Sequence, residues 1–340
     1  MGLPLAITAT GMVTGVGLSA PASCAAMRCA IDNFQETCFK DRIGEQILGC
    51  EVPMDKPWRG RTKQIQMACA AIKEVLQSNP LVKPSDTPLL LCLSEPNRPG
   101  RVIDDDTRLF EDLLDELGFD FSNQSLVIPA GRVSLAIALK QARKMIGSMG
   151  VTHVLVAASD TMLVGETLDF YESKDRLLTS TNSNGFLPGE AGAALLLESG
   201  NNKPAGTLYC EGLGLAVEKS HIESEEPLKA EGLAAAIVES LEDAALSESE
   251  LNFKITDIAG EQYSFKEASL AFSRIDRTHR EEFDIWHPAD CIGEVGAAIG
   301  LVMPAVLKAA CEKNYAKGTV ILAHCGNDDG RRASMIFIWR

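Results

Sequence analysis

Two apolar rhythms alternate along this chain, one with the period of buried strands and one with the period of helices. Residues 5–10 form a short apolar strand that runs into a Gly-rich loop, and 22–32 follow as a small helix. Over 62–77, Ile65, Cys69, Ile72 and Leu76 recur at spacings of four, three and four, which predicts one buried helical stripe. Residues 88–94 (PLLLCLS) are a continuous apolar run of strand length, as strands buried on both faces tend to be. A helix over 109–117, a strand over 125–129 and a helix over 133–149 come next, the last with Leu135, Leu139, Ala142, Ile146 and Met149 on one face. Residues 154–158 and 193–197 are two more buried strands.

The second half repeats the plan. Residues 229–245 read as a helix, 255–259 as a strand, and 295–310 as a Gly/Ala-rich helix. A strand pair over 319–324 and 333–339 brackets the turn GNDDGRR. Such alternation predicts a mostly parallel sheet covered by helices. The polar stretch 199–204 is the seam between a first half (1–200) and a second (201–340), and 173–184 (SKDRLLTSTNSN) is the most linker-like piece.

Composition narrows the function classes. Among 340 residues, 46% are apolar and 23% charged, which excludes a disordered or fibrous chain. A net charge of −15, from 32 basic and 47 acidic residues, argues against nucleic acid and against a polybasic membrane anchor. Arg59, Arg61 and Lys63 are the one tight basic group, with Lys140, Arg143 and Lys144 second. The ten cysteines contain no CxxC pair and mostly sit in apolar runs, so buried thiols are expected, with no metal and no cofactor. The start lacks a basic segment before its apolar residues, Ala6 stands where a myristoylation signal needs Ser or Thr, and no apolar run reaches membrane-spanning length. The expected location is the cytoplasm.

Four segments, in order, resemble the β-ketoacyl synthases of the thiolase superfamily: ITATGMVTGVG (7–17), NGFLPGEAGAALLLE (184–198), IGEVGAAIG (292–300) and HCGNDDGRRASMIF (324–337). The second is the most specific, because Gly185, Phe186, Gly189, Glu190, Gly192 and Glu198 match a GF-x-x-GEGA-G-x-x-x-LE pattern. The resemblance implies an α/β thiolase-like fold, two similar halves layered α-β-α-β-α, usually in a dimer with itself or with a related subunit.

In that family a thiolate holds the acyl chain, two imidazoles stabilise the enolate, and a Lys and backbone N–H groups assist. The nucleophile's turn matches Ile128-Pro129-Ala130-Gly131-Arg132-Val133-Ser134, with Gly131 at the nucleophile, and no cysteine lies between Cys92 and Cys210. The loop of the first His matches Gly260 onward; the Lys matches Ala289 and the second His matches Glu294. His153, His221, His279, His287 and His324 all fall outside these positions.

The expected function is therefore a catalytically degenerate β-ketoacyl synthase-like protein, a pseudoenzyme acting as a binding, scaffold or accessory partner. The alternative is an acyltransferase, thioesterase or decarboxylase with a site relocated to Glu294, Arg132, Cys325 or Ser134. Each of these has a structural reading: Glu294 as a helix cap, Arg132 as an ion pair, Cys325 as a buried thiol facing away from His324. Ser134 lacks an evident base. The glycines around Glu190 permit close backbone packing, and Asp328 and Asp329 shape a turn. An acidic acyl carrier would need a local basic patch from Arg59, Arg61 and Lys63 in order to dock.

Overall fold

The computed structural model describes residues 2–201, 205–276 and 283–340, so part of the expected seam and His279 lie outside the described residues. Five strands form the first sheet, in the order β1 (Leu5–Thr14), β7 (Glu190–Ser199), β6 (His153–Thr161), β4 (Leu89–Leu93) and β5 (Leu126–Pro129). The second sheet runs β8 (Leu208–Val217), β12 (Arg331–Trp339), β11 (Val320–Gly326), β9 (Phe253–Thr256) and β10 (Ile285–Trp286). Leu5, Ala6 and Ile7 of β1 pair with Cys210, Tyr209 and Leu208 of β8, which joins the two into one ten-stranded sheet.

Side-chain alternation along the strands builds the layers. In β4, Leu89, Leu91 and Leu93 face out toward Ile65, Cys69 and Ile72 of α2 (Gly60–Ser78) and Leu109 and Leu113 of α3 (Asp106–Leu117). Leu90 and Cys92 face in, toward Leu135 and Leu139 of α4 (Ser134–Ser148) and Leu301 and Val302 of α9 (Ile299–Glu312). The same central layer takes Phe253, Ile255, Ile321 and Ala323 from the second sheet. That sheet's outer face carries Leu322, Ile336 and Ile338 against Leu233 and Ile237 of α6 (Glu231–Ala244) and Ala271 of α7 (Gln262–Ile275). The result is the expected α-β-α-β-α arrangement.

Three expectations need correction. The sheet is mixed, not mostly parallel: β4–β5, β4–β6, β9–β10 and β9–β11 are parallel, whereas β1–β7, β6–β7, β1–β8, β8–β12 and β11–β12 are antiparallel. Strands buried on both faces show the same apolar run whichever way they point, so patterning does not report direction. The segment 173–184 is no linker: Leu177 is buried, and Phe186 N–H donates to the Arg176 carbonyl in a wrap that locks the segment down. The basic group of α2 is not a patch either. Lys63 is buried between Glu51 and Glu190, and Arg61 pairs with Asp112.

Close approach explains one glycine of the GEAGA segment well. A Cβ on Gly189 would lie 2.0 Å from the Ile292 carbonyl, so only glycine lets this strand meet the Gly293–Gly296 turn.

Candidate functional site

The turn that leaves β5 enters α4 through Gly131, whose φ of +62° is a left-handed conformation that favours glycine. Ser134 Oγ accepts from Ala130 N–H at 3.1 Å and donates to the Ile128 carbonyl at 3.2 Å. Asn327 Nδ2 donates to the Ala130 carbonyl at 2.8 Å, and Cys325 Sγ donates to the Arg132 carbonyl at 3.2 Å. Both reactive candidates, Ser134 and Cys325, thus hold the backbone of this turn. Burial first, and Asp257 second, push the Cys325 thiol well above the ordinary range. No hydrogen bond joins that thiol to His324, whose imidazole is held neutral by burial, with a pKa lowered to about 3.

A carboxylate occupies the space above Gly131. A Cβ built there would meet Glu95 Oε1 at 2.1 Å, so the Glu95 side chain fills the volume that a side chain at position 131 would need. Beside it, Arg132 reaches into the second half of the molecule. Its guanidinium donates to Glu294 Oε2 at 2.9 Å and to Asp328 Oδ1 at 2.6 Å, with Asp257 Oδ2 at 3.8 Å. Arg176 grips Glu261 through two bonds of 2.7 and 2.9 Å and also donates to Asp328 at 2.8 Å. Tyr171 Oη donates to Asp328 Oδ2 at 3.0 Å. Deeper in, Arg98 pairs with Asp160 at 2.5 Å, and Asp160 also accepts the Ala297 N–H.

Six carboxylates (Glu95, Asp160, Asp257, Glu261, Glu294 and Asp328) thus meet three guanidiniums (Arg98, Arg132 and Arg176). Acid is in excess, and the titrations divide accordingly. Burial raises Glu95 and Asp257, and raises Glu294 to about 7 despite Arg132. Burial would raise Asp328 as well, but two guanidiniums and a phenol donate to it and hold it well below the carboxylate range. The space left is slight. Two cavities among these side chains measure about 30 and 20 Å³, room for single waters rather than for an acyl chain.

Glu294 caps the helical entry by accepting Gly296 N–H at 2.8 Å, so the structural readings of Glu294 and Arg132 coexist in one contact. Gly260, with φ of +120°, turns the chain so that Glu261 enters the site. Ala289 is buried in the short helix α8 (Ala289–Ile292) and lines neither cavity. Asp329 shapes the expected turn by accepting from Arg331 N–H, but Asp328 points inward as the hub of the network. No motif in the sequence marks Glu95, Arg98, Asp160, Tyr171, Arg176, Asp257 or Glu261. Among the described residues, no group of three or more His, Cys, Asp or Glu side chains is arranged to hold a metal ion, and no helix is long and apolar enough to cross a membrane.

No family model and no curated protein matches the chain. Solved structures do. The ketosynthase structure described as AntDE:AntF, a type II acyl-carrier protein in complex with its ketosynthase bound to the hexaketide, shares 14% identity over 100% of both chains with a TM-score of 0.81. The ishigamide ketosynthase/chain length factor shares 16% over 100% of both chains, with a TM-score of 0.80. The ketosynthase ApeO in complex with its chain length factor ApeC, from Xenorhabdus doucetiae, shares 13% over 99% of this chain and 98% of that one, with a TM-score of 0.78. The fold of this chain is that of the ketosynthases and chain length factors, the thiolase-like fold.

Proposed function

We propose that this chain is a non-catalytic member of the ketosynthase-like fold, acting as a scaffold or accessory subunit for a protein partner in the cytoplasm. One observation carries the reading: the volume at the mouth of α4 is filled by a guanidinium–carboxylate network that leaves two cavities of about 30 and 20 Å³. An acyl-enzyme needs a nucleophile with a free approach and a cavity for the chain. Here Glu95 covers Gly131, and the nearby hydroxyl and thiol are engaged by backbone. Several neighbours are structures of ketosynthases with chain length factors, which favours a related subunit as partner; a second copy is the other arrangement. The outer edge of β5 ends the ten-stranded sheet with Leu126 exposed, a strand edge suited to pairing with another subunit. A charge of −15, with Lys63 buried, works against docking of an acidic carrier.

The test is incubation of the pure protein with acyl- and malonyl-thioesters, read by intact mass and by product release. The expected result is neither acylation nor condensation. Turnover or stable acylation that disappears on Glu294→Gln, Cys325→Ala or Ser134→Ala would replace this reading with that of an acyl-handling enzyme.

A further inference from the structure

A larger cavity, about 480 Å³, opens at the far edge of the second sheet and shares no lining residue with the central network. Its size falls within the range of small-molecule sites. Met27, Ile255 and Val306 supply apolar wall, and Trp286 and Tyr315 supply two nearly parallel rings, 22° apart with centroids at 6.1 Å. Trp286 is fixed from behind by Phe253 at 4.7 Å.

Arg28, Lys317 and one carboxylate, Asp290, line this cavity, and of these Arg28 is the group that favours an anion. Arg28, in the last turn of α1 (Ala20–Arg28), lays its guanidinium over the Tyr315 ring at 4.5 Å. A stacked guanidinium keeps its in-plane N–H groups free to donate. Among the described residues no carboxylate pairs with Arg28, which is notable on a surface with 15 excess negative charges. Lys317 at the rim already pairs with Asp284 at 3.3 Å. His287 lines the cavity with a buried Nε2 that has no hydrogen-bond partner, while its Nδ1 lies 3.6 Å from Asp290.

We propose that this cavity binds a small planar aromatic carboxylate. Its ring packs on the apolar wall of Met27, Ile255 and Val306 beside the Trp286–Tyr315 pair, and its carboxylate takes the free N–H groups of Arg28. The probe is 2-naphthoate, titrated against the full chain by calorimetry and by Trp fluorescence, with 2-naphthalenemethanol as the neutral ring of the same shape. Saturable one-to-one binding of naphthoate is expected, with the alcohol at least tenfold weaker. Arg28→Gln is expected to lower naphthoate affinity about tenfold and leave the alcohol unchanged; Arg28 is exposed at a helix end, so the variant keeps the fold. Trp286→Phe is expected to remove the quenching while calorimetric binding persists. Equal affinity for acid and alcohol, no saturation up to millimolar naphthoate, or wild-type affinity in Arg28→Gln would overturn the proposal.

Discussion

Replacing Glu294 by Gln separates the charge of this side chain from its shape, and the fold dictates how the effect depends on pH. Burial raises the Glu294 pKa from 4.5 to about 7, against the pull of Arg132. Between those values the unfolded chain has released a proton that the folded chain still holds. The folded state then binds more protons, so this group makes stability fall as pH rises through that window. At about 1.4 kcal/mol per pH unit, the interval corresponds to on the order of 3 kcal/mol between pH 5 and pH 8. Gln keeps the acceptor for Gly296 N–H and does not titrate. An amide facing Arg132 adds an offset that is the same at every pH, so the slope is the readout. Urea unfolding of both proteins at intervals from pH 5 to pH 8 is expected to show Glu294→Gln gaining on wild type as pH rises, by on the order of 3 kcal/mol. A difference that stays constant to within about 0.5 kcal/mol would mean that this carboxylate titrates as if in water, and the account of a dry network would fail.

Arg132→Met strips the guanidinium from Glu294, Asp328 and Asp257 together and is expected to cost about 3–5 kcal/mol. For a chain of 340 residues that lowers Tm by about 4–7 °C in calorimetry, and a drop under about 1 °C would contradict it. Gly131→Ala combines a left-handed backbone with a collision on Glu95, so it is expected to destabilise by more than the ~1–2 kcal/mol of the backbone term alone. Adding Glu95→Ala should recover the collision part, and strict additivity of the two changes would refute that contact. A thiol reagent is expected to modify the exposed Cys29 and Cys38 first and to reach Cys325 only on unfolding; labelling of Cys325 at the same rate would contradict its burial.

The frame was more legible in the sequence than the site, for a physical reason. Strands such as β4 and helices such as α2 and α4 announce themselves through local apolar periodicity, because each buries a whole face. β8 carries no such periodicity, because Gly212 and Gly214 interrupt its pattern. A Cβ at either would lie within 2.0 Å of an α6 carbonyl, so packing demanded the residues that mask the strand. The hairpin of β2 (Gln35–Lys40) and β3 (Gln46–Gly49) is largely exposed and carries little apolar signal. At the site, motifs in the sequence mark Gly131, Arg132, Ser134, Gly260, Glu294, Cys325 and Asp328, but none of them tells which charges meet. Arg176 sits in a polar stretch that reads as a linker, and nothing local shows that its partners are Glu261 and Asp328, 85 and 152 residues away.

Those separations also say what the network does. Arg132 and Arg176, with Tyr171, come from segments that belong to the first sheet's half of the fold, and Asp257, Glu261, Glu294 and Asp328 come from the second. Even the deeper pair crosses over, because Asp160 of β6 accepts Ala297 N–H from the turn before α9. Ion pairs buried this deeply add little net stability over apolar packing, yet removing one member leaves charges stranded in low dielectric. Such a network therefore acts as a latch with an all-or-none character: its groups are tolerable together and costly apart. The same contacts that fill the cavity tie side chains of the first sheet's segments to those of the second, so loosening one of them strands charge on both sides.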